Sequence, residues 1–94
     1  MPRAYCYITV REKFIEIEST YNKRFVEELK GMVPHTERTY DPETKVWTCD
    51  PKYLPNIKDL AKNCFERSYL IEGYITTNLS TGAIIERGAL WGVS

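Results

Sequence analysis

The sequence predicts an α+β fold in which a mainly antiparallel sheet carries two helices on one face, in the order β-β-α-β-β-α-β. Three observations lead to this prediction. Segments near the N-terminus alternate apolar and polar side chains with period two, which is typical of half-buried strands. Two later segments place apolar residues at helical spacing. Each helical segment follows a pair of strand-like segments, and this order favours a two-layer domain.

The first two strands are predicted at the N-terminus. Within residues 4–10, cysteine, isoleucine and valine alternate with tyrosine and threonine. The polar segment Arg11-Glu12-Lys13 then separates this strand from residues 14–18, where isoleucines point to one face and Glu16 and Glu18 to the other. We expect the two strands to pair as a hairpin.

The first helix is predicted from about Asn22. Its apolar residues form a single stripe, while lysine, arginine and glutamate occupy the opposite side. Pro34 ends the helix, because the residue before a proline avoids the α region, and Gly31 weakens its last turn. The stripe consists of Phe25, Val26, Leu29, Met32 and Val33.

A tight hairpin is predicted next. Arg38-Thr39-Tyr40 and Val46-Trp47-Thr48 carry strand-forming types on either side of an Asp-Pro-Glu-Thr turn. Asp41 can accept hydrogen bonds from the backbone amides that follow it, and Pro42 presets φ at the second turn position. We therefore expect these segments to be the third and fourth strands.

The second helix and the fifth strand follow. The helix is predicted to begin between Asp50 and Leu54, since Pro55 is tolerated only in a first turn. Residues 69–76 are strand-like, with Gly73 predicted as a bulge. The apolar stripe of the helix consists of Leu54, Ile57, Leu60, Ala61, Cys64 and Phe65.

The length and composition predict one domain over residues 1–77 and a C-terminal extension over residues 78–94. The chain has 94 residues, of which 43% are hydrophobic, and this is sufficient for one modest core. The extension has no clear period, so a short hairpin and a docking tail both remain open for it.

The charge and the N-terminal composition set the expected location and partners. Thirteen basic and thirteen acidic side chains balance, so no global charge attracts nucleic acid or membrane. No signal peptide or bilayer-spanning apolar segment is recognisable, and a cytoplasmic protein is expected. The three cysteines are widely spaced and are expected to be buried, reduced thiols.

Candidates for catalysis are few, and we expect a protein that is not an enzyme and needs no cofactor or metal. His35 is the single histidine, which excludes a histidine metal cluster. Glu16 and Glu18 lie on one strand face and could hold a divalent ion in a hydrolase, but such alternation is also typical of a solvated sheet face.

Nucleic-acid binding is favoured by basic residues that are interleaved with aromatic residues in the middle of the chain. Cations can contact the phosphates of a single strand, and aromatic rings beside them can stack on its bases. The structural alternative is that Trp47 and Tyr40 pack against the helices while the cations balance nearby acids. The candidate binding residues are Lys30, Arg38, Tyr40, Lys45, Trp47 and Lys52.

The helix that ends in Leu-Lys-x-Met-Val-Pro, the Asp41-Pro42 turn and the strand with Trp47 together resemble the HARP domain, an accessory module of SNF2-family DNA-annealing helicases. The resemblance covers roughly residues 13–66. It implies that the module engages DNA, single-stranded or branched, and it assigns the helix-end lysine to Lys30. The chain departs from the family because Thr39 separates its basic and aromatic residues, because Glu16 and Glu18 make the second strand acidic, and because these 94 residues contain no motor.

Two functions therefore remain open from the sequence. The first is a small, non-catalytic DNA-binding module of HARP-like type. The alternative is a protein-interaction module, such as a small phage or mobile-element protein that docks on a host or replication enzyme. Under this alternative the exposed anchors are Leu90 and Trp91 in the C-terminal extension. A homodimer formed through a sheet edge is compatible with both.

Overall fold

The computed structural model describes residues 4–86, in which a seven-stranded sheet carries two helices on one face. This confirms the predicted α+β fold class. The strands are β1 (Tyr5–Val10), β2 (Ile15–Ser19), β3 (Arg38–Asp41), β4 (Val46–Cys49), β5 (Arg67–Glu72), β6 (Ile75–Asn78) and β7 (Ile84–Glu86). The helices are α1 (Lys23–Met32) and α2 (Leu54–Cys64).

The strands lie in the order β3-β4-β2-β1-β5-β6-β7. β1 and β2 pair in antiparallel fashion with Ile8 opposite Ile17, as the hairpin prediction requires. The pairing of β1 with β5 is parallel and places Tyr7 beside Tyr69. The other neighbouring pairs are antiparallel, so the sheet is mainly antiparallel.

The core lies between the helices and one face of the sheet. The rings of Phe25 on α1 and Phe65 after α2 meet edge to face, with centroids 5.2 Å apart. Both apolar stripes predicted for the helices contribute to this layer, because each presents its buried side to the sheet. The buried apolar residues are Cys6, Ile8, Ile15, Ile17, Phe25, Leu29, Val33, Cys49, Ile57, Leu60, Ala61, Phe65 and Leu70.

The opposite face of the sheet is called the open face below. It carries the side chains that alternate with the core residues, and no helix among residues 4–86 covers it. Its aromatic and apolar members are Tyr5, Tyr7, Val46, Tyr69, Ile71 and Ile85.

Side-chain caps start α1 and the short 3₁₀ turn that leads into α2. The side chain of Asn22 accepts a hydrogen bond of 2.9 Å from the amide of Phe25, which starts α1. Asp50 accepts from the amide of Lys52 at 2.9 Å and starts a short 3₁₀ turn that leads into α2. Pro55 lies in the first turn of α2, as predicted.

The segment 69–76 differs from the prediction of a single strand with a bulge, which was wrong. It is a hairpin of β5 and β6, with Glu72 opposite Ile75 across a two-residue turn. Gly73 has φ +61°, a left-handed value that glycine adopts without steric cost at the first position of such a turn. The chain therefore reverses at Gly73.

The sheet continues beyond residue 77, where the predicted domain ends. The side chain of Asn78 accepts hydrogen bonds from the amides of Ser80 at 2.9 Å and Thr81 at 3.2 Å, which shapes the turn into β7. β7 then pairs with β6, with Ile85 opposite Thr76. The part of the extension up to residue 86 is thus a sheet hairpin.

Candidate nucleic-acid interface

Lys30, Tyr40, Lys45 and Trp47 line one surface groove between α1 and the β3–β4 hairpin. The groove has a volume of about 430 Å³. It is called the lysine groove below, and its lining is completed by Ser19, Tyr21 and Val26.

Strand register explains why the two rings lie on the helix side of the sheet. Trp47 is directly opposite the core residue Ile17 on β2, and Tyr40 is directly opposite Trp47 on β3. Because directly opposed residues share a face of the sheet, both rings lie on the side of the core. On α1, Val26 and Lys30 are one turn apart and face the same way. The helix and the hairpin thereby form the two walls.

The aromatic floor of the groove is partly open to solvent. The ring centroids of Tyr40 and Trp47 lie 4.7 Å apart with planes inclined by 46°. Trp47 is half-buried and packs against the core cluster, while 43% of Tyr40 is exposed. Trp47 therefore packs against the core, as the structural alternative expects, and it also lines the groove, while its binding of nucleic acid stays a prediction.

The turn of the hairpin positions Lys45. The Asp41 carboxylate accepts a hydrogen bond of 2.9 Å from the amide of Glu43, as predicted for this turn. The amide of Lys45 donates to the Asp41 carbonyl at 2.7 Å. Lys45 has φ +60°, a conformation that costs a non-glycine residue roughly 1 kcal/mol. The side chain is thus held at the groove by a strained backbone.

The lysine groove is locally cationic although the chain as a whole is neutral. Within the described part of the chain, its lining contains two lysines and no acidic residue. Among residues 4–86, neither Lys30 nor Lys45 takes part in an ion pair. Both are exposed, so their charges are available to an anion.

Arg38 does not line the groove and serves the helix instead. Its guanidinium donates a hydrogen bond to the carbonyl of Val33 and a longer one of 3.4 Å to the carbonyl of Lys30. These carbonyls end α1 and lack partners within the helix. A cation at this position also complements the negative end of the helix dipole. Arg38 is therefore a helix cap in this structure.

Lys52 is likewise engaged away from the groove. Its ammonium lies 2.5 Å from a carboxylate oxygen of Glu37, and it lies 5.3 Å from the ring centroid of Tyr53. The Tyr53 hydroxyl also donates to Glu37. The hydrogen bonds from Lys52 and then Tyr53 lower the pKa of Glu37 below its usual range. This cluster links a 3₁₀ turn before β3 (His35–Glu37) to the 3₁₀ turn before α2 (Pro51–Tyr53) rather than forming an open binding surface.

Sequence reasoning missed Tyr21 as part of the groove. Tyr21 is 80% exposed and directly precedes the Asn22 cap of α1. An aromatic residue immediately before a capped helix, outside the apolar stripe, was the available signal. Val26 was predicted, but as a core residue, whereas it is half-buried and lines the groove.

The other candidate chemistry forms no cluster in the described part of the chain. Glu16 pairs with Arg11 at 2.6 Å, and no group of three histidine, cysteine, aspartate or glutamate residues there could hold a metal ion. Burial raises the pKa of the Cys6 thiol to about 12 and that of Cys49 to about 11. These buried thiols are poor nucleophiles.

No helix between residues 4 and 86 combines the length and the apolar character that a membrane crossing requires. Leu90 and Trp91, the predicted partner-binding residues, lie outside the described residues. No protein-family model, curated protein or solved structure matches the chain. The HARP resemblance thus stays a prediction from the motifs.

Proposed function

We propose that this chain is a small, non-catalytic module that binds single-stranded nucleic acid in the lysine groove. The observation that carries the proposal is the convergence of Lys30, Lys45, Tyr40 and Trp47 on one depression, which residues 4–86 line without an acidic side chain. The proposal retains the DNA-binding hypothesis from the sequence and narrows its site.

Cations and rings supply the two interactions that a single strand offers. Two exposed ammonium groups can contact successive phosphates, and a base can stack on an aromatic ring. Stacking contributes about 1–3 kcal/mol per base. In a duplex the bases are already stacked and paired, so the rings favour an unpaired segment. Tyr21 at the rim offers a further stacking surface.

The expected affinity is weak and sensitive to salt. Each phosphate neutralised on a single strand contributes a slope of roughly −0.7 in log K against log salt, so two lysines give about −1.4. The lysines and rings of the lining offer contacts to phosphates and to the faces of bases, which all nucleotides share, so little sequence preference is expected. The module would hold an unpaired strand for another protein to process, which accords with the HARP resemblance.

The test is fluorescence anisotropy of labelled single-stranded DNA, duplex DNA, forked DNA and single-stranded RNA at low and near-physiological salt. Binding should be strongest for ligands with an unpaired segment. The variant Lys30→Ala with Lys45→Gly should lose about tenfold or more in affinity at low salt. Lys13→Ala with Lys62→Ala is the matched control, because it removes the same charge from outside the groove.

Trp47→Phe and Tyr40→Leu test the stacking contribution separately. Trp47→Phe keeps an aromatic ring on the core and should weaken binding only a few-fold. Tyr40→Leu removes an exposed ring and should cost the stacking contribution of about 1–3 kcal/mol in binding free energy. The proposal fails if no single strand binds at low salt, or if the control variant loses as much affinity as the groove variant.

A further inference from the structure

The open face departs from the usual chemistry of a solvated sheet. An antiparallel sheet with one wet face normally places polar residues outward. Here Tyr69 and Ile71 of β5 and Ile85 of β7 point outward, beside Tyr7 of the central strand. The rings of Tyr7 and Tyr69 stack with centroids 5.3 Å apart and planes inclined by 20°. The middle of this face is thus apolar and aromatic.

The face also has depth. A depression of about 590 Å³ lies over β1, β5 and β6. Thr76 lines it between Ile71 and Ile85 and is only 7% exposed, although it belongs to the open face. Its hydroxyl has no hydrogen-bond partner among residues 4–86. A buried hydroxyl without a partner is uncommon, and a second surface could supply one.

Two opposite charges flank the tyrosines diagonally. Glu18 is opposite Tyr7 on the β2 side, and Arg67 is beside Tyr5 on the β5 side. Both are exposed, and within the described chain neither forms an ion pair. The spacing of strands and residues places their Cα atoms about 12 Å apart. The patch therefore has an apolar centre with an acid at one corner and a base at the other.

We propose that the open face is the interface of a homodimer, in which two copies pack sheet against sheet. A two-fold axis between the sheets can place Glu18 of each copy over Arg67 of the other, so the charge pattern is complementary to itself. Tyr7, Tyr69 and Ile85 then pack in the dry centre, with the sheets about 10 Å apart. The occupant is a second copy because one surface supplies both members of each ion pair.

The size of the patch sets the expected strength. Five strands that each contribute about five residues or fewer cover a flat footprint of no more than about 400 Å² per copy, or about 800 Å² in total, which is below the standard range and typical of a weak, transient interface. A dissociation constant in the high micromolar range is therefore expected, on the order of 100 μM or above.

The lysine groove is on the helix side of the sheet, so pairing through the open face leaves both grooves accessible. A dimer would hold two single-strand sites and gain avidity for long strands. The dimer itself does not depend on the proposed function.

The experiment is sedimentation velocity on the full chain from about 1 μM to about 1 mM. A mass that rises to that of a dimer is expected. Ile85→Asp places a carboxylate in the centre twice and should weaken the dimer by at least about hundredfold. Lys62→Asp on α2, away from the face, is the control and should leave the dimer unchanged.

Charge reversal identifies the face and the axis. Glu18→Arg and Arg67→Glu should each weaken self-association by about tenfold, because each change acts twice across the axis. Mixing the two variants should restore association, since both ion pairs then re-form in the heterodimer. Circular dichroism checks that each variant is folded. The proposal is overturned by a monomer at all concentrations, by a dimer that Ile85→Asp leaves intact, or by a mixture that shows no rescue.

Discussion

The lysine groove and the open face lie on opposite sides of one sheet, and they are built in different ways. The groove joins a helix, a strand hairpin and a loop, and its charge is of one sign. The open face is formed by strands alone, and its charges are of both signs around an apolar centre. The first arrangement suits a polyanion, whereas the second suits a surface like itself. A neutral net charge thus conceals two surfaces with distinct chemistry.

One core lies beneath both surfaces, so a change in the core should destabilise the two surfaces together. Phe25→Ala deletes a fully buried ring that meets Phe65. The expected loss is about 3–5 kcal/mol of unfolding free energy, because a cavity remains. Urea unfolding followed by circular dichroism measures it. Phe25→Leu is the control and should cost less than about 1.5 kcal/mol. A small loss for the alanine variant would contradict the shared core.

Substitutions of Arg38 test whether this residue stabilises the fold or contacts the nucleic acid. Arg38→Ala leaves the carbonyls of Lys30 and Val33 without their partner and should cost about 1–2 kcal/mol of unfolding free energy. Arg38→Lys keeps the charge but not the planar donor group, and it should recover only part of the loss. If the Arg38→Ala variant no longer bound single-stranded nucleic acid but kept its full unfolding free energy, Arg38 would be a ligand contact instead.

Lys45 should show the converse behaviour. Lys45→Gly removes an ammonium from the groove and relieves the left-handed backbone. We expect weaker single-strand binding together with unchanged or higher stability, by up to about 1 kcal/mol. Anisotropy and thermal unfolding on the same sample measure both. Thr44→Gly in the same turn is the control and should leave binding near that of the original chain. A destabilised Lys45→Gly variant would contradict the role given to its backbone.

The smallest effect concerns pH and lies outside both surfaces. The pKa of Glu37 is lowered by the hydrogen bonds from Lys52 and Tyr53, so its contribution to stability is present above the ordinary carboxyl range and is lost as the pH falls through the lowered value. When the pH is lowered from neutral to below about 4, the Glu37→Gln variant should therefore lose less unfolding free energy than the original chain does. Urea titrations at neutral and acid pH measure the difference. Glu12→Gln, an exposed carboxyl without an ion pair in the described chain, is the control.

Part of the groove was predictable because it is local in sequence. One hairpin contains Tyr40, Lys45 and Trp47. The Asp41-Pro42 turn that joins its strands can be predicted from residue types. The role of Arg38 was not predictable. Its partners are backbone carbonyls at the end of α1, and no residue type marks an unpaired carbonyl.

The reversal at Gly73 shows a similar limit. A glycine within a strand-like segment is compatible with a bulge and with a turn, and local propensity does not distinguish them. The turn forms here because β6 can pair with both β5 and β7 and so satisfy its backbone groups on two sides.

The sequence by itself determined the fold class, the two helices and the side of each N-terminal strand that is buried. Periodicity fixes these features, since a side chain's face depends only on its position along a helix or strand. Only the tertiary structure decided that Lys30 joins the hairpin, that Arg38 and Lys52 do not, and that Tyr7 stacks on Tyr69. These contacts depend on strand order, and the pairings of β4 with β2 and of β5 with β1 join segments that are distant in sequence. Their register is set by packing across the whole core, which no local pattern encodes.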